Sequence, residues 1–152
     1  MEMQKGHYRR LLVMAVVSFV AMYILMYAMT DRLANVFANF NQFYMAGLMT
    51  AAMVIIELLV MSGMYPNKRT NAVLLVVSAV ALVGFFAAIQ KQTAISDRQF
   101  LRSMIPHHSG AILMCGQASL QDPELVRLCD SIKESQMAEI ALMKAKLSEL
   151  EQ

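Results

Sequence analysis

The sequence predicts an all-α fold: three transmembrane helices followed by an extramembrane antiparallel helical hairpin. Three observations carry this expectation. Of the 152 residues, 58% are hydrophobic and only 16% charged, an apolar excess beyond the usual range of soluble domains. That excess is concentrated in three stretches, each about the 20 residues that a helix needs to cross a bilayer core. From Ser96 onward, charges of both signs return at helical spacing, broken by one turn signal at Gln121-Asp122-Pro123-Glu124. The expected division is residues 1–92 in the membrane and residues 93–152 outside it.

Leu11 to Thr30 contains no charge and supplies the first span; Phe43 to Met64 supplies the second, interrupted only by Glu57; Asn71 to Gln90 supplies the third. Each lacks the apolar period of a half-buried soluble helix. The first stretch follows a basic start, as a signal peptide would. It is too long for one and ends in no small-x-small site, so it reads as an uncleaved anchor. Orientation follows from basic residues in short flanking segments. Lys5, Arg9 and Arg10 precede the first span, and Lys68 and Arg69 lie between the second and third, whereas Asp31 and Arg32 cancel in the loop between the first two. The N-terminus is therefore expected in the cytoplasm of a bacterial inner membrane and the hairpin in the periplasm or outside the cell. A net charge of +2 gives no reason to expect nucleic acid as a partner; the expected partner is the lipid bilayer.

Glu57 is the one charge inside a span, and such groups face a bundle interior or a partner. Counted inward from the cytoplasmic ends, Ser18 and Ser78 fall at the same depth, so a hydrogen bond from Glu57 to one of them is expected. Met45, Met49 and Met53 recur every four residues on the second span, and Met22, Met26 and Met29 form a similar stripe on the first. Thioethers suit copper(I), and Met-x-x-x-Met on the second of three spans resembles the eukaryotic copper-channel architecture. The third span, with only Gly84, lacks the Gly-x-x-x-Gly of those channels, and methionine also fills gaps between helices.

In the polar part, Ser96 is placed to cap a helix that begins at Asp97. Phe100, Met104, His107 or His108, Ala111 and Cys115 share one stripe, taken as its inward face. Pro106 predicts a kink or restart. Asp122 caps the second helix, with Pro123 at its first position, and Leu125, Cys129, Ile132, Gln136, Glu139 or Ile140, Met143 and Leu147 are expected to face inward. A short connection makes the two helices antiparallel, so residues equidistant from Asp122 lie opposite one another. Cys115 then meets Cys129, His108 meets Gln136 and His107 meets Met137. That geometry permits a Cys115–Cys129 disulfide, favoured outside the cytoplasm, or two thiolates holding one soft metal ion.

The run Met104-Ile105-Pro106-His107-His108-Ser109-Gly110-Ala111, followed by Met114-Cys115, Asp122-Pro123-Glu124-Leu125, Cys129 and Gln136-x-x-Glu139-Ile140-x-x-Met143, resembles the "domain of unknown function 305" family over Phe100 to Leu147. The resemblance implies a ferritin-like helical fold, generally exported, with some members binding copper and other metals. By position it points to Met104, His107, His108, Glu139 and Met143. Many members carry two such hairpins that together form a four-helix bundle; this chain carries one, which implies a ferritin-like half-bundle completed by oligomerisation. Independently, a hairpin of this size has too little interior to stand alone. It must pack on an extension of the third span, on the 31–42 loop, or on a second hairpin as a homodimer.

The expected metal ligands are thus Met104, His107, His108, Cys115, Cys129, Glu139 and Met143, for copper(I) in the first place and otherwise zinc or iron. Adjacent helical histidines point about 100° apart, so one ion is not expected to take both from a single hairpin unaided. No Ser-His-Asp set, phosphate loop or paired Glu-x-x-His motif is present, and an enzyme is not expected. The leading expectation is a membrane-anchored metal-binding protein of homeostasis or resistance. The alternatives are a copper transporter or channel subunit using the methionine stripes and Glu57, and a structural oligomerisation module without metal.

Overall fold

The computed structural model describes the backbone of residues 2–152 and the side chains of residues 6–152; the side chain of Lys5, used above for orientation, lies outside the described residues. Five helices follow one another: α1 (Glu2–Leu25), α2 (Phe40–Val60), α3 (Lys68–Gln90), α4 (Asp97–Gln117) and α5 (Pro123–Leu150). Three 3-10 turns interleave at Met26–Met29, Leu33–Asn35 and Ser62–Met64. No strand occurs among the described residues. The chain divides into two compact units: Met1–Leu25 with Asn41–Thr93, and Met26–Phe40 with Ala94–Gln152.

Among the described residues three helical stretches are long and apolar enough to cross a membrane, Gly6–Met29, Phe40–Val60 and Lys68–Gln90, and most of each lies in the first unit. Their large side chains, among them Val17, Ile24, Val76 and Val80, are mostly exposed, an arrangement sustainable in hydrocarbon but not in water. What they bury is small. Leu11, Leu58 and Tyr65 form a core backed by Met14, Val54 and Leu74, and Gly47 lets Phe85 approach so closely that a Cβ would lie 2.5 Å from its ring.

Glu57 corrects one expectation. Its Oε1 accepts from the Tyr65 hydroxyl at 3.1 Å, not from Ser18 or Ser78. The reason is that α2 ends at Val60 rather than Met64, which places Glu57 within one turn of the helix end and in reach of the returning chain. Burial, then the hydrogen bond to Glu57 and its charge, push the Tyr65 phenol above its ordinary range. Tyr8 extends the network, donating to Asn71 Oδ1 at 2.7 Å while Asn71 Nδ2 donates to the Tyr65 carbonyl at 2.7 Å.

α3 ends in paired bonds from Thr93 N to the Ala88 carbonyl and from Gln92 N to the Ile89 carbonyl, 3.0 and 3.2 Å. Gln92 adopts φ 49°, so the stop has Schellman geometry with glutamine where glycine is usual.

In the second unit α4 and α5 pack antiparallel. Ser96 stands at the N-cap of α4 without a side-chain cap bond, whereas the Asp122 carboxylate accepts from the N–H groups of Glu124 (2.7 Å) and Leu125 (3.2 Å). α4 passes through Pro106 without a restart. The core is Leu101, Ile105, Ile140 and Leu147, packed with Phe37, Ile112, Met143 and Leu150. Burying Ile105 completely contributes about 1.5–3 kcal/mol. The inward face of α4 is therefore rotated by one residue from the expected stripe. Leu101, Ile105 and Ile112 face α5, while Phe100 is exposed; Leu125, expected inward on α5, is exposed as well.

The rotation has a physical cause: α4 is covered on two sides. Residues 26–40 lie along it, and Ser109, Pro106 and Gly110 are buried, the last so close that a Cβ there would sit 3.4 Å from the Met29 carbonyl oxygen. The Ser109 hydroxyl donates to Asp31 Oδ1 and accepts from Asp31 N at 2.8 Å. Phe40 N donates to Gln99 Oε1 at 3.0 Å, and Lys144 Nζ to the Ala34 carbonyl at 2.8 Å. The connection between α1 and α2 thus supplies part of the hairpin's core, with Phe37 packed against it.

Candidate metal centre

The turn fixes the register of the hairpin. With Asp122 capping and Pro123 opening α5, Cys115 and Cys129 come to a Cα–Cα separation of 5.1 Å and form a disulfide. Two sulfurs bonded to each other are not thiolates, so of the two readings left open by the sequence this form takes the disulfide, and Cys115 and Cys129 leave the ligand set.

Seven residues back from Cys115, His108 lies on the same side of α4 and meets α5. Its Nδ1 is 2.9 Å from Glu139 Oε2, off the line of a well-directed hydrogen bond. The equidistance rule put Gln136 here; the observed partner is one turn further along the same face. Gln136 instead stands beside the pair, its Nε2 at 3.4 Å from Glu139 Oε2, and Ser135 Oγ donates to Glu139 Oε1 at 2.9 Å. The His108 side chain is 15% exposed and that of Glu139 46%, so the pair spans the edge of the interface rather than its centre.

The other expected ligands are distributed differently. His107 is exposed, its ring centroid 6.1 Å from that of His108 at an interplanar angle of 59°. Met137, its expected opposite, is exposed too. Met104 is half-buried. Met143 packs against the Leu101–Ile105–Ile140–Leu147 core and serves as filling. Among the described residues, no three His, Cys, Asp or Glu side chains converge. One chain therefore offers a histidine–carboxylate pair, with a second histidine and a thioether near it in sequence, fewer groups than the closed tetrahedral set of a structural zinc site. Of the methionines on the apolar helices, Met45 and Met49 are exposed, and Met22 Sδ accepts from Thr50 Oγ1 at 3.8 Å.

Sequence reasoning missed Asp31 and Ser109. Asp31 takes hydrogen bonds from Ser109, from Asn35 Nδ2 at 2.5 Å and from Arg32 Nε at 2.8 Å. Burial alone would raise its pKa; these donors and the Arg32 charge outweigh that and hold it below the usual 3.8. The available signal was Ser109-Gly110, two small residues just after the histidines, the mark of a close approach by backbone.

A family model described as "Domain of unknown function (DUF305)" matches residues 85–147. "Uncharacterized protein L153" of Acanthamoeba polyphaga mimivirus is 32% identical over 142 residues, covering 91% of each chain. The chain belongs to the DUF305 family. The family match opens inside α3, earlier than Phe100, and takes in the whole of α4 with most of α5. The similarity to L153 is longer still, extending over 142 residues and so beyond the part of the chain that the family model matches. No solved structure matches.

Proposed function

We propose that this DUF305 protein is a membrane-anchored metal-binding protein, for copper(I) first and otherwise zinc or iron, acting in metal homeostasis or resistance. The hairpin stands on the non-cytoplasmic side, the periplasm if the cell is a Gram-negative bacterium. The observation that carries the reading is the His108–Glu139 contact across the hairpin. A ligating histidine commonly gives its second ring nitrogen to a carboxylate that fixes its orientation. Glu139 at Nδ1 leaves His108 Nε2 as the ligating atom, with His107 and Met104 as the further donors. The side of the membrane is supported by the basic residues at 5, 9, 10, 68 and 69 and by the Cys115–Cys129 disulfide, which persists in oxidising compartments.

The test is competitive titration of copper(I), generated with ascorbate so that the disulfide survives, into the full chain in detergent. The full chain is needed because a fragment starting near residue 94 would lose the packed segment 26–40. His107→Ala with His108→Ala is expected to abolish tight binding, and Glu139→Gln to weaken it about 10- to 100-fold, the usual cost of removing an orienting partner. Equal affinity in the double-histidine variant would overturn the proposal.

A further inference from the structure

The beginnings of α1 and α3 are tied together within the first unit. The Tyr8 hydroxyl donates to Asn71 Oδ1 and lies 3.3 Å from the carbonyl oxygen of Asn67, the N-cap residue of α3. Its ring meets that of Tyr65 at a centroid distance of 5.4 Å. The tie brings Arg9 and Arg10 of α1 and Lys68 and Arg69 of α3 to one end of the unit, all four exposed. No acidic residue lies between Glu2 and Asp31 or between Glu57 and Asp97. Among the described residues none of the four has an ion-pair partner. At this end Arg9, Arg10, Val13, Met14 and Val17 line an open cleft of about 460 Å³, within the range of small-molecule sites. At about 100° per residue the five fall within about 140° of arc around α1. They are also graded along it: two guanidiniums first, then three apolar side chains, the last ~12 Å beyond Arg9 at 1.5 Å per residue. Met14 packs on the Leu11–Leu58–Tyr65 core, so one wall of the cleft is fixed by the unit's own interior. Val13 and Val17 are 54% and 61% exposed.

We infer that this cleft binds one anionic phospholipid, its phosphate held by Arg9 and Arg10 and one acyl chain laid along Val13, Met14 and Val17. The site is independent of the metal centre and rests only on the apolar helices being membrane spans. A guanidinium matches phosphate oxygens with paired charge-assisted hydrogen bonds, and its stem lies along apolar surface while its head stays at headgroup level. Basic residues at the end of a span attract anionic lipid in general; the cleft adds a place for one molecule. Free phosphate would make no use of Val13, Met14 and Val17, and a neutral lipid would leave both guanidiniums without a counter-charge. Charge first and apolar side chains after it, in order along one helix, select a molecule that is anionic at one end and apolar at the other. A bilayer presents its lipids in that same order.

Native mass spectrometry of the full chain in neutral detergent, titrated separately with phosphatidylglycerol and phosphatidylcholine, tests this. Wild type is expected to retain one phosphatidylglycerol per chain at least about tenfold more tightly than phosphatidylcholine. Arg9→Gln with Arg10→Gln should lose that preference. Lys68→Gln with Arg69→Gln removes the same charge from the same end without touching the cleft, and should keep it within about twofold. Val17→Trp fills the cleft from an exposed position with every charge in place, and should weaken retention at least about tenfold. Equal retention of the two lipids, or equal losses in the two charge pairs, makes the arginines general boundary charges and overturns the inference. So does a Val17→Trp protein that binds as wild type does. Displacement of the lipid by millimolar inorganic phosphate also overturns it, marking a site for the anion alone. A chain that stays dispersed once detergent is removed refutes the spans themselves, and the site with them.

Discussion

Ser109→Ala isolates the tie between the membrane-helix connection and the hairpin. The hydroxyl is fully buried and makes two bonds, one to the Asp31 carboxylate and one from Asp31 N–H. A hydrogen bond to a charged group contributes about 1.5–3 kcal/mol, a neutral one about 0.5–1.5, and the two are not additive because one atom makes both. The Asp31 side chain is 9% exposed, so water replaces the lost donor poorly and the full effect is about 2–3 kcal/mol. No cavity contribution is added, since only one oxygen atom is removed. Amide hydrogen exchange reads this locally: residues 31–36 should exchange about 30- to 100-fold faster, tenfold for each ~1.4 kcal/mol. Ser148→Ala, at an exposed position, should stay within about 0.5 kcal/mol of wild type. If exchange of 31–36 in Ser109→Ala matches that control, the Asp31–Ser109 tie does not hold the segment, and the account of how the hairpin gains its core fails with it.

The same tie sets a pH dependence. Because the folded Asp31 pKa lies below its ordinary 3.8, its contribution is complete above that value and is lost as pH falls through the lower folded value; protection of 31–36 should be flat from neutrality to about pH 5 and decline below pH 4. Reducing the Cys115–Cys129 bridge, or replacing both residues with serine, reopens a loop of sequence separation 14 and should cost about 2–3 kcal/mol, measured as the chemical denaturation midpoint of α4 and α5. In the untreated protein both sulfurs should resist maleimide until a reductant is added. Ala94 adopts φ 57°, a left-handed conformation that glycine takes freely, so Ala94→Gly should raise thermal stability by about 0.5–1 kcal/mol.

Much of this fold is legible in the sequence because its signals are local. A charge-free run of valine, leucine and alanine reads as a span wherever it occurs, and Asp122-Pro123 marks a helix start within three residues. Counting from that start brought Cys115 to Cys129, since an antiparallel pair with a short turn has little freedom near the bend. Further along, the same counting slid by a turn, from Gln136 to Glu139, because any of several side chains on one face can reach the facing helix. The Asp31–Ser109 contact spans 78 residues, and no local pattern announces it; in the sequence Asp31 is half of a cancelling pair with Arg32. The early end of α2 had a signal in Ser62-Gly63 and Pro66, outweighed by the apolar Met61 and Met64. The inward face of α4 was ambiguous for a deeper reason. Apolar or small residues line three of its sides, so periodicity alone cannot say which side meets α5.

That third side gives the two adjacent histidines separate work. His108 is held by Glu139 across the interface and sits beside Ser109, which is anchored to Asp31, with the Cys115–Cys129 staple two turns away. A side chain so surrounded has little freedom left to lose, and a ligand position fixed in advance costs little ordering entropy on binding. His107, one residue earlier, is turned about 100° away onto the uncovered flank. The two adjacent histidines are therefore not equivalent: His108 is held by a contact from its own chain, and His107 stands exposed on the other flank. Extending the packed segment over both flanks would stabilise the hairpin alone but would bury His107.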